Sequence, residues 1–168
     1  MPSQGSFPLN PDFADLLRAL SEEKARFLVV GAFAVAVHAE PRTTGDLDVW
    51  VEATRRNAER VYTALRRFGA PLDELSIADL MRPDVVFQMG VVPNRIDVLT
   101  SITGVTFGSA WRGRVRVRFG DVLVPVLGRS SLLRNKRATG RDKDLLDVDR
   151  LARFARARGR GPASRRDR

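Results

Sequence analysis

The stretch "RTTGDLDVWV" (42–51) constrains this chain more than any other. From Leu47 onward it reads as a buried strand, because Leu, Val, Trp and Val are good strand formers. Yet Asp46 and Asp48 sit within it, two residues apart. Strand side chains alternate between faces, so the two acids point the same way while Leu47, Val49 and Val51 point into the core. At roughly 7 Å apart, two unpaired carboxylates repel each other, and a pKa rises. A divalent cation removes that conflict, since Mg²⁺ takes hard oxygen ligands from one or two carboxylates together with substrate phosphates. A third acid has the same setting: Asp97 lies between Ile96 and Val98 in "NRIDVLT". If the two strands are neighbours, three carboxylates converge on one face, enough to bind one or two metal ions for an in-line phosphoryl transfer. The plainer alternative is that the acids decorate the wet face of an edge strand.

The surrounding sequence supplies a frame for these acids. "NPDFADLLRALSEEKA" carries Phe13, Leu16, Leu17 and Leu20 at the spacing of one helix face, with Asn10 as cap and Pro11 in the first turn. "RFLVV" (26–30) is a short buried strand that Gly31 ends, and "AFAVAVHA" is an apolar helix closed by Pro41. A glycine at a strand-to-helix turn lets a phosphate approach the free N–H groups of the helix N-terminus, which makes Gly31 and Ala32 candidate phosphate contacts. Arg42 and Thr44 stand just before the acids, where a basic fork and a hydroxyl could hold a triphosphate; the alternative for Arg42 is a surface loop arginine.

Further along, residues 54–69 read as an amphipathic helix with Ala58, Val61, Leu65 and Phe68 inward and Gly69 at its end. "DVVFQMG" and "NRIDVLT" read as strands joined by a turn at Pro93 and Asn94. "TGVTFGSAWRG" is either loop or short helix. "RVRVRFGDVLVPVL" is a hairpin turning at Gly120 and Asp121, its first arm alternating Arg with Val as a half-solvated strand does. The last stretch is helical, with Leu132, Leu133, Leu145, Val148, Leu151 and Phe154 as core positions and Gly140 as the break between two helices. Strands and helices mix in one unit, so the fold class is α/β or α+β around a small mixed sheet.

Length and composition bound the rest. A chain of 168 residues, 43% hydrophobic, suits one well-cored domain, here read as residues 1–157, with a core over about 27–127 and C-terminal helices over about 129–157. Residues 158–168 read as a disordered tail with five arginines in 11 residues. The absence of cysteine excludes disulfides and thiolate metal sites. The N-terminus has no basic and apolar signal regions, and the longest apolar stretch spans 13 residues and is too short for a bilayer. A cytoplasmic protein without membrane contact is therefore expected. The net charge of +9, from 29 Lys plus Arg against 20 Asp plus Glu, favours polyanionic partners, although an excess carried almost wholly by Arg can also reflect genomic base composition.

Gly31-Ala32, thirteen further residues and then Asp46-Leu47-Asp48, with Asp97 in "RIDVL", resemble the signature of nucleotidyltransferases of the DNA polymerase β-like superfamily. The segment "VVGAFAVAVHAEPRTTGDLDVWV" is similar to small bacterial members near the abortive-infection (AbiEii/MenT-like) toxins. In the C-terminal segment, "NKRATGRDKDLLDVDRL" matches that group at Lys136, Arg141, Lys143, Asp144 and Asp147. The resemblance implies a nucleotidyltransferase-like mixed sheet with packed helices and a C-terminal helical portion. It implies a metal-dependent enzyme that moves a nucleotidyl group from a nucleoside triphosphate such as ATP to an acceptor hydroxyl and releases pyrophosphate. Asp46, Asp48 and Asp97 would hold Mg²⁺ or Mn²⁺, and Asp97 would also serve as general base. Lys136 would contact nucleotide phosphates, with Arg141 beside it, and Asp144 would order Lys136 or the acceptor. RNA, including a tRNA end, is the favoured acceptor, with an antitoxin protein as the partner of a toxin-type member.

This sequence departs from that pattern in two places. Ala32 stands where many relatives have Gly or Ser, so a phosphate grip there would rest on backbone N–H groups. Glu40 stands where similar sequences often have Gly. Three other readings compete: a small-molecule acceptor of the antibiotic type, a catalytically silent nucleotide-binding partner protein, and a basic nucleic-acid-binding module built on the hairpin at 114–119. His38, the only histidine, reads as structural or as part of the pocket rim, and Trp50 and Trp111 read as core or interface residues.

Overall fold

The computed structural model describes residues 10–39, 45–91 and 93–159. In chain order the elements are α1 (Pro11–Glu22), β1 (Phe27–Val30), α2 (Gly31–His38), β2 (Leu47–Val51), α3 (Arg55–Phe68), α4 (Ile77–Leu80), β3 (Val86–Met89), β4 (Ile96–Leu99), α5 (Phe107–Arg112), β5 (Val115–Phe119), β6 (Val122–Val126), α6 (Arg129–Thr139) and α7 (Asp142–Gly159). The six strands form one sheet in the order β3-β4-β2-β1-β6-β5. β2 runs parallel to β4 and antiparallel to β1, while β1 runs parallel to β6. The sheet is therefore mixed, and the architecture is α/β, as the alternation of strand and helix signals leads one to expect.

Local chemistry fixes the element ends. The Asn10 side chain accepts from the Asp12 N–H ahead of Pro11, and the Thr54 side chain accepts from the Asn57 N–H at the start of α3. Ser76 and Asp79 form a reciprocal capping box on α4, a short helix in a stretch left unassigned from the sequence. Gly69 and Gly140 close α3 and α6 in the left-handed conformation, the latter making the break before α7. The ambiguous stretch after Thr103 is the short helix α5, capped by Thr106.

Register sorts the side chains into two faces. Val29, Val49, Val98 and Val126 share one, buried with Phe119; α1 packs there, as Phe13 and Phe119 both meet Phe33 edge-on at 6.0 Å. Leu28, Asp48, Trp50 and Asp97 share the other. Trp50 is buried against Phe107 of α5, and Trp111 stacks on Phe107 with the guanidinium groups of Arg26 and Arg114 at 5.3 and 4.0 Å from its ring. Neither tryptophan offers a free ring face for a base. His38 binds the Leu127 carbonyl oxygen through Nε2 at 2.8 Å, a structural contact.

The expected apolar stripe of α7 needs correcting. Leu151 is buried and Val148 and Phe154 are partly buried, but Leu145 is exposed. The buried positions of the first turns are instead Asp144 and Asp147. Hydrophobic periodicity assigns acids to the outside; here α6 presents a cation to them, which makes their burial tolerable. α7 also continues through Arg158 and Gly159, two residues into the stretch expected to be disordered. Arg42, Thr44, Glu40 and Pro41 lie outside the described residues, as does the rest of the tail.

Candidate active site

The site grows from the end of β1. Gly31 turns the chain from strand to helix at φ +66°, in the left-handed region that glycine adopts without strain. A Cβ at this position would overlap Asp48 Oδ2 and stand 3.0 Å from its Cγ. The glycine is thus required twice, once by the backbone and once by the carboxylate that lies against it. In register, Val30 faces Asp48 across β1 and β2, and Asp48 faces Asp97 across β2 and β4. The sheet brings together the acids that the sequence separates by half a hundred residues. Asp46 stands just before β2 and belongs to the same cluster.

The cluster is electrostatically unbalanced. Burial, with the nearby charges of Asp97 and Asp46, pushes the Asp48 carboxyl up from 3.8 to about 6. Among the described residues Arg95 brings a cation against these acids: its guanidinium lies 3.3 Å from Asp46 Oδ2 and 3.1 Å from Asp97 Oδ1. Neither of these two contacts is aligned as a hydrogen bond; Arg95 Nη2 instead donates to Asp97 Oδ2 at 3.4 Å, and Asp46 Oδ1, Asp97 Oδ1 and Arg95 Nε are buried with no hydrogen-bond partner among the described residues. Sequence reasoning passed over Arg95. The signal was available, since it stands two residues before Asp97 and therefore on the same side of an extended chain.

A second cluster faces the first across a cavity of about 680 Å³ lined by Gly31, Ala32, the three acids, Lys136 and Arg141. Lys136 of α6 is buried and pairs with Asp144 Oδ1 at 3.3 Å and Asp147 Oδ2 at 3.1 Å. Arg141 holds Asp144 Oδ2 at 2.7 Å. Burial acts to raise the Asp144 pKa, but hydrogen bonds from Arg141 and Lys136 and the charge of Lys136 outweigh it and hold the carboxyl well below its ordinary range. Asp147 completes this cluster, and Lys143, Leu146 and Arg150 line the same cavity from α7. The spacing 143, 146, 147 and 150 is one helical stripe.

The structure thus gathers eight sequence-predicted residues around one cavity: Gly31, Ala32, Asp46, Asp48, Asp97, Lys136, Arg141 and Asp144. Among the described residues, no group of three or more His, Cys, Asp or Glu stands ready to cage a metal ion. The donor chemistry nevertheless suits a hard divalent cation: three carboxylates converge, two of their oxygens are buried without hydrogen bonds among the described residues, and burial together with the neighbouring acids raises the pKa of Asp48.

No family model matches the chain, and no curated protein matches it in sequence. Solved structures do match in fold. The lincosamide antibiotic adenylyltransferase LnuA, solved with lincomycin bound, superposes with a TM-score of 0.56 at 13% identity, over 87% of this chain and 98% of that one. The nucleotidyltransferase candidate TM1012 of Thermotoga maritima superposes with a TM-score of 0.51 at 14% identity, over 90% of this chain and 94% of that one. This chain has the fold of these two proteins, a nucleotidyltransferase fold. Among the described residues, no helix is long and apolar enough to cross a membrane.

Proposed function

We propose that this protein is a metal-dependent nucleotidyltransferase. One observation carries the reading: Asp48 and Asp97 stand opposite each other on adjacent parallel strands, with Asp46 beside them and Gly31 against the Asp48 carboxylate. Asp46, Asp48 and Asp97 would hold Mg²⁺ or Mn²⁺, which supplies charge neutralisation to the reacting phosphates. The β1–α2 turn offers backbone N–H groups to the triphosphate. Lys136, anchored by Asp144 and Asp147, presents a fixed positive charge across the cavity. The acceptor oxygen attacks the α-phosphorus, the bond from that phosphorus to the bridging oxygen breaks, and pyrophosphate leaves. Asp97 takes the acceptor's proton. Arg42 and Thr44 belong to this reading as triphosphate contacts on sequence grounds alone.

For the acceptor, the +9 charge of the chain favours RNA, including a tRNA end. That acceptor accords with a toxin-type role, paired with an antitoxin protein, as the sequence resemblance suggests. A second reading, a small-molecule acceptor, is favoured by the fold likeness to LnuA over nearly the whole of that chain and by the apolar cavity residues Ile102 and Leu146. Pyrophosphate release, followed with each nucleoside triphosphate and Mg²⁺ or Mn²⁺ against total RNA and against lincosamides, separates the two. Release that needs RNA and falls steeply with salt supports the first; release that needs the antibiotic and is indifferent to salt supports the second. Tight nucleotide binding without release under any condition would sink both and leave a silent binding protein.

A further inference from the structure

Arg95 is placed where a metal ion would have to act. Its guanidinium spans Asp46 and Asp97, at 3.3 Å from Asp46 Oδ2, 3.1 Å from Asp97 Oδ1 and 3.4 Å from Asp97 Oδ2. Its backbone is fixed, since its carbonyl oxygen accepts the Leu47 N–H at 3.0 Å at the mouth of β2. Its side chain is one-third exposed and borders the cavity, so the head group has room to leave. The contact is only partly aligned: Nη2 donates one long hydrogen bond, 3.4 Å, to Asp97 Oδ2, while Nε and one oxygen of each acid find none among the described residues. Arg95 thus neutralises charge here with little directional bonding.

A divalent cation and this guanidinium compete for the same carboxylate oxygens. Metal that arrives alone must displace Arg95 and strand its charge. Metal that arrives with a triphosphate brings the anion onto which the displaced guanidinium can fold, because Arg recognises phosphate as well as carboxylate. Of the other described cations that line the cavity, Lys136 and Arg141 are held in ion pairs with Asp144 and Asp147, and Lys143 and Arg150 stand on α7, whereas Arg95 lies against the acids themselves.

We propose that Arg95 is an internal counter-cation that excludes free divalent metal from the acid cluster and passes to the triphosphate on loading, so that metal and nucleotide bind as a unit. This rests on the metal-dependent reading above. On this account Arg95 acts through Asp46 and Asp97 before loading and on the triphosphate after it.

The test measures Mn²⁺ binding by the electron-paramagnetic signal of the free ion, in wild type, Arg95→Gln and Asp48→Asn. Each protein is titrated alone and with the α,β-methylene analogues of the four common nucleoside triphosphates. In wild type, one analogue at least should tighten Mn²⁺ binding about tenfold. Arg95→Gln should bind Mn²⁺ alone about tenfold more tightly than wild type and lose most of that enhancement. Mn²⁺ alone bound by Arg95→Gln no more tightly than by wild type overturns the counter-cation while leaving the metal site standing. Mn²⁺ bound equally by Asp48→Asn and wild type, or by neither under any condition, overturns the metal reading itself. Should Arg95→Gln be insoluble, Arg95→Ala decides: its melting temperature should rise more with Mn²⁺ than that of wild type, and an equal or smaller rise refutes the proposal.

Discussion

Replacing Asp48 by Asn should stabilise the protein while destroying its proposed function. The carboxyl of Asp48 is half-buried beside Asp97 and Asp46 and is pushed from 3.8 to about 6. Below pH 3.8 the group is protonated in both the native and the unfolded chain and costs nothing. Between 3.8 and about 6 the unfolded chain has released its proton and the native one has not, so native stability falls as pH rises. Above about 6 the cost is complete. The difference of about 2.2 pH units, at about 1.36 kcal/mol each, amounts to about 3 kcal/mol. Asn keeps the shape and removes the titration. In chelator, urea unfolding should show Asp48→Asn ahead of wild type by well under 1 kcal/mol near pH 4 and by about 3 kcal/mol at pH 7.5, or about 6–12 °C in melting temperature for a chain of this size. Excess Mg²⁺ should then close the gap by stabilising wild type alone. A gap that does not widen between pH 4 and 7.5 would refute the electrostatic account of the cluster.

Gly31→Ala should lose about 1–2 kcal/mol from the left-handed backbone alone, and more from displacement of the Asp48 carboxylate; urea unfolding and Mn²⁺ binding should both report it. Lys136→Met removes the cation between buried Asp144 and Asp147, a change of about 3 kcal/mol, visible as a lower denaturation midpoint that acid partly restores. Asn57→Ala should cost about 3 kcal/mol far from the cavity, because the Asn57 side chain accepts from the Arg26 N–H at 2.7 Å and donates to the Arg26 and Glu52 carbonyls at 2.9 Å; melting should fall while nucleotide affinity per folded molecule stays put.

What could be read in advance divides by range. β1, β2, β4 and the helices α1 and α3 carry their signals locally: an apolar run, an acid between β-branched neighbours, an Asn-Pro cap, a Gly stop. Even the convergence of Asp48 and Asp97 followed from two short strands, once those were taken as neighbours. Two features depended on contacts that no local pattern announces. Asp144 and Asp147 face inward because Lys136, on another helix, awaits them, so the apolar stripe through Leu145 misjudged the face of α7. Arg95 shares the side of Asp97 by its spacing in the sequence, but its bridge to Asp46, which lies on a different strand's approach, comes only from the sheet. Charge pairs across elements are decided by tertiary structure, and their burial inverts the usual rule that acids point outward.

The most direct test of the central claim is transfer itself: each nucleoside triphosphate, labelled at the α-phosphate, is incubated with total RNA and Mg²⁺ or Mn²⁺, beside an Asp46→Ala control. Label that appears in RNA with wild type and vanishes with the variant is the predicted result. Label that persists in the variant, or pyrophosphate that never forms with any nucleotide and any acceptor, would contradict transfer at the Asp46, Asp48 and Asp97 cluster.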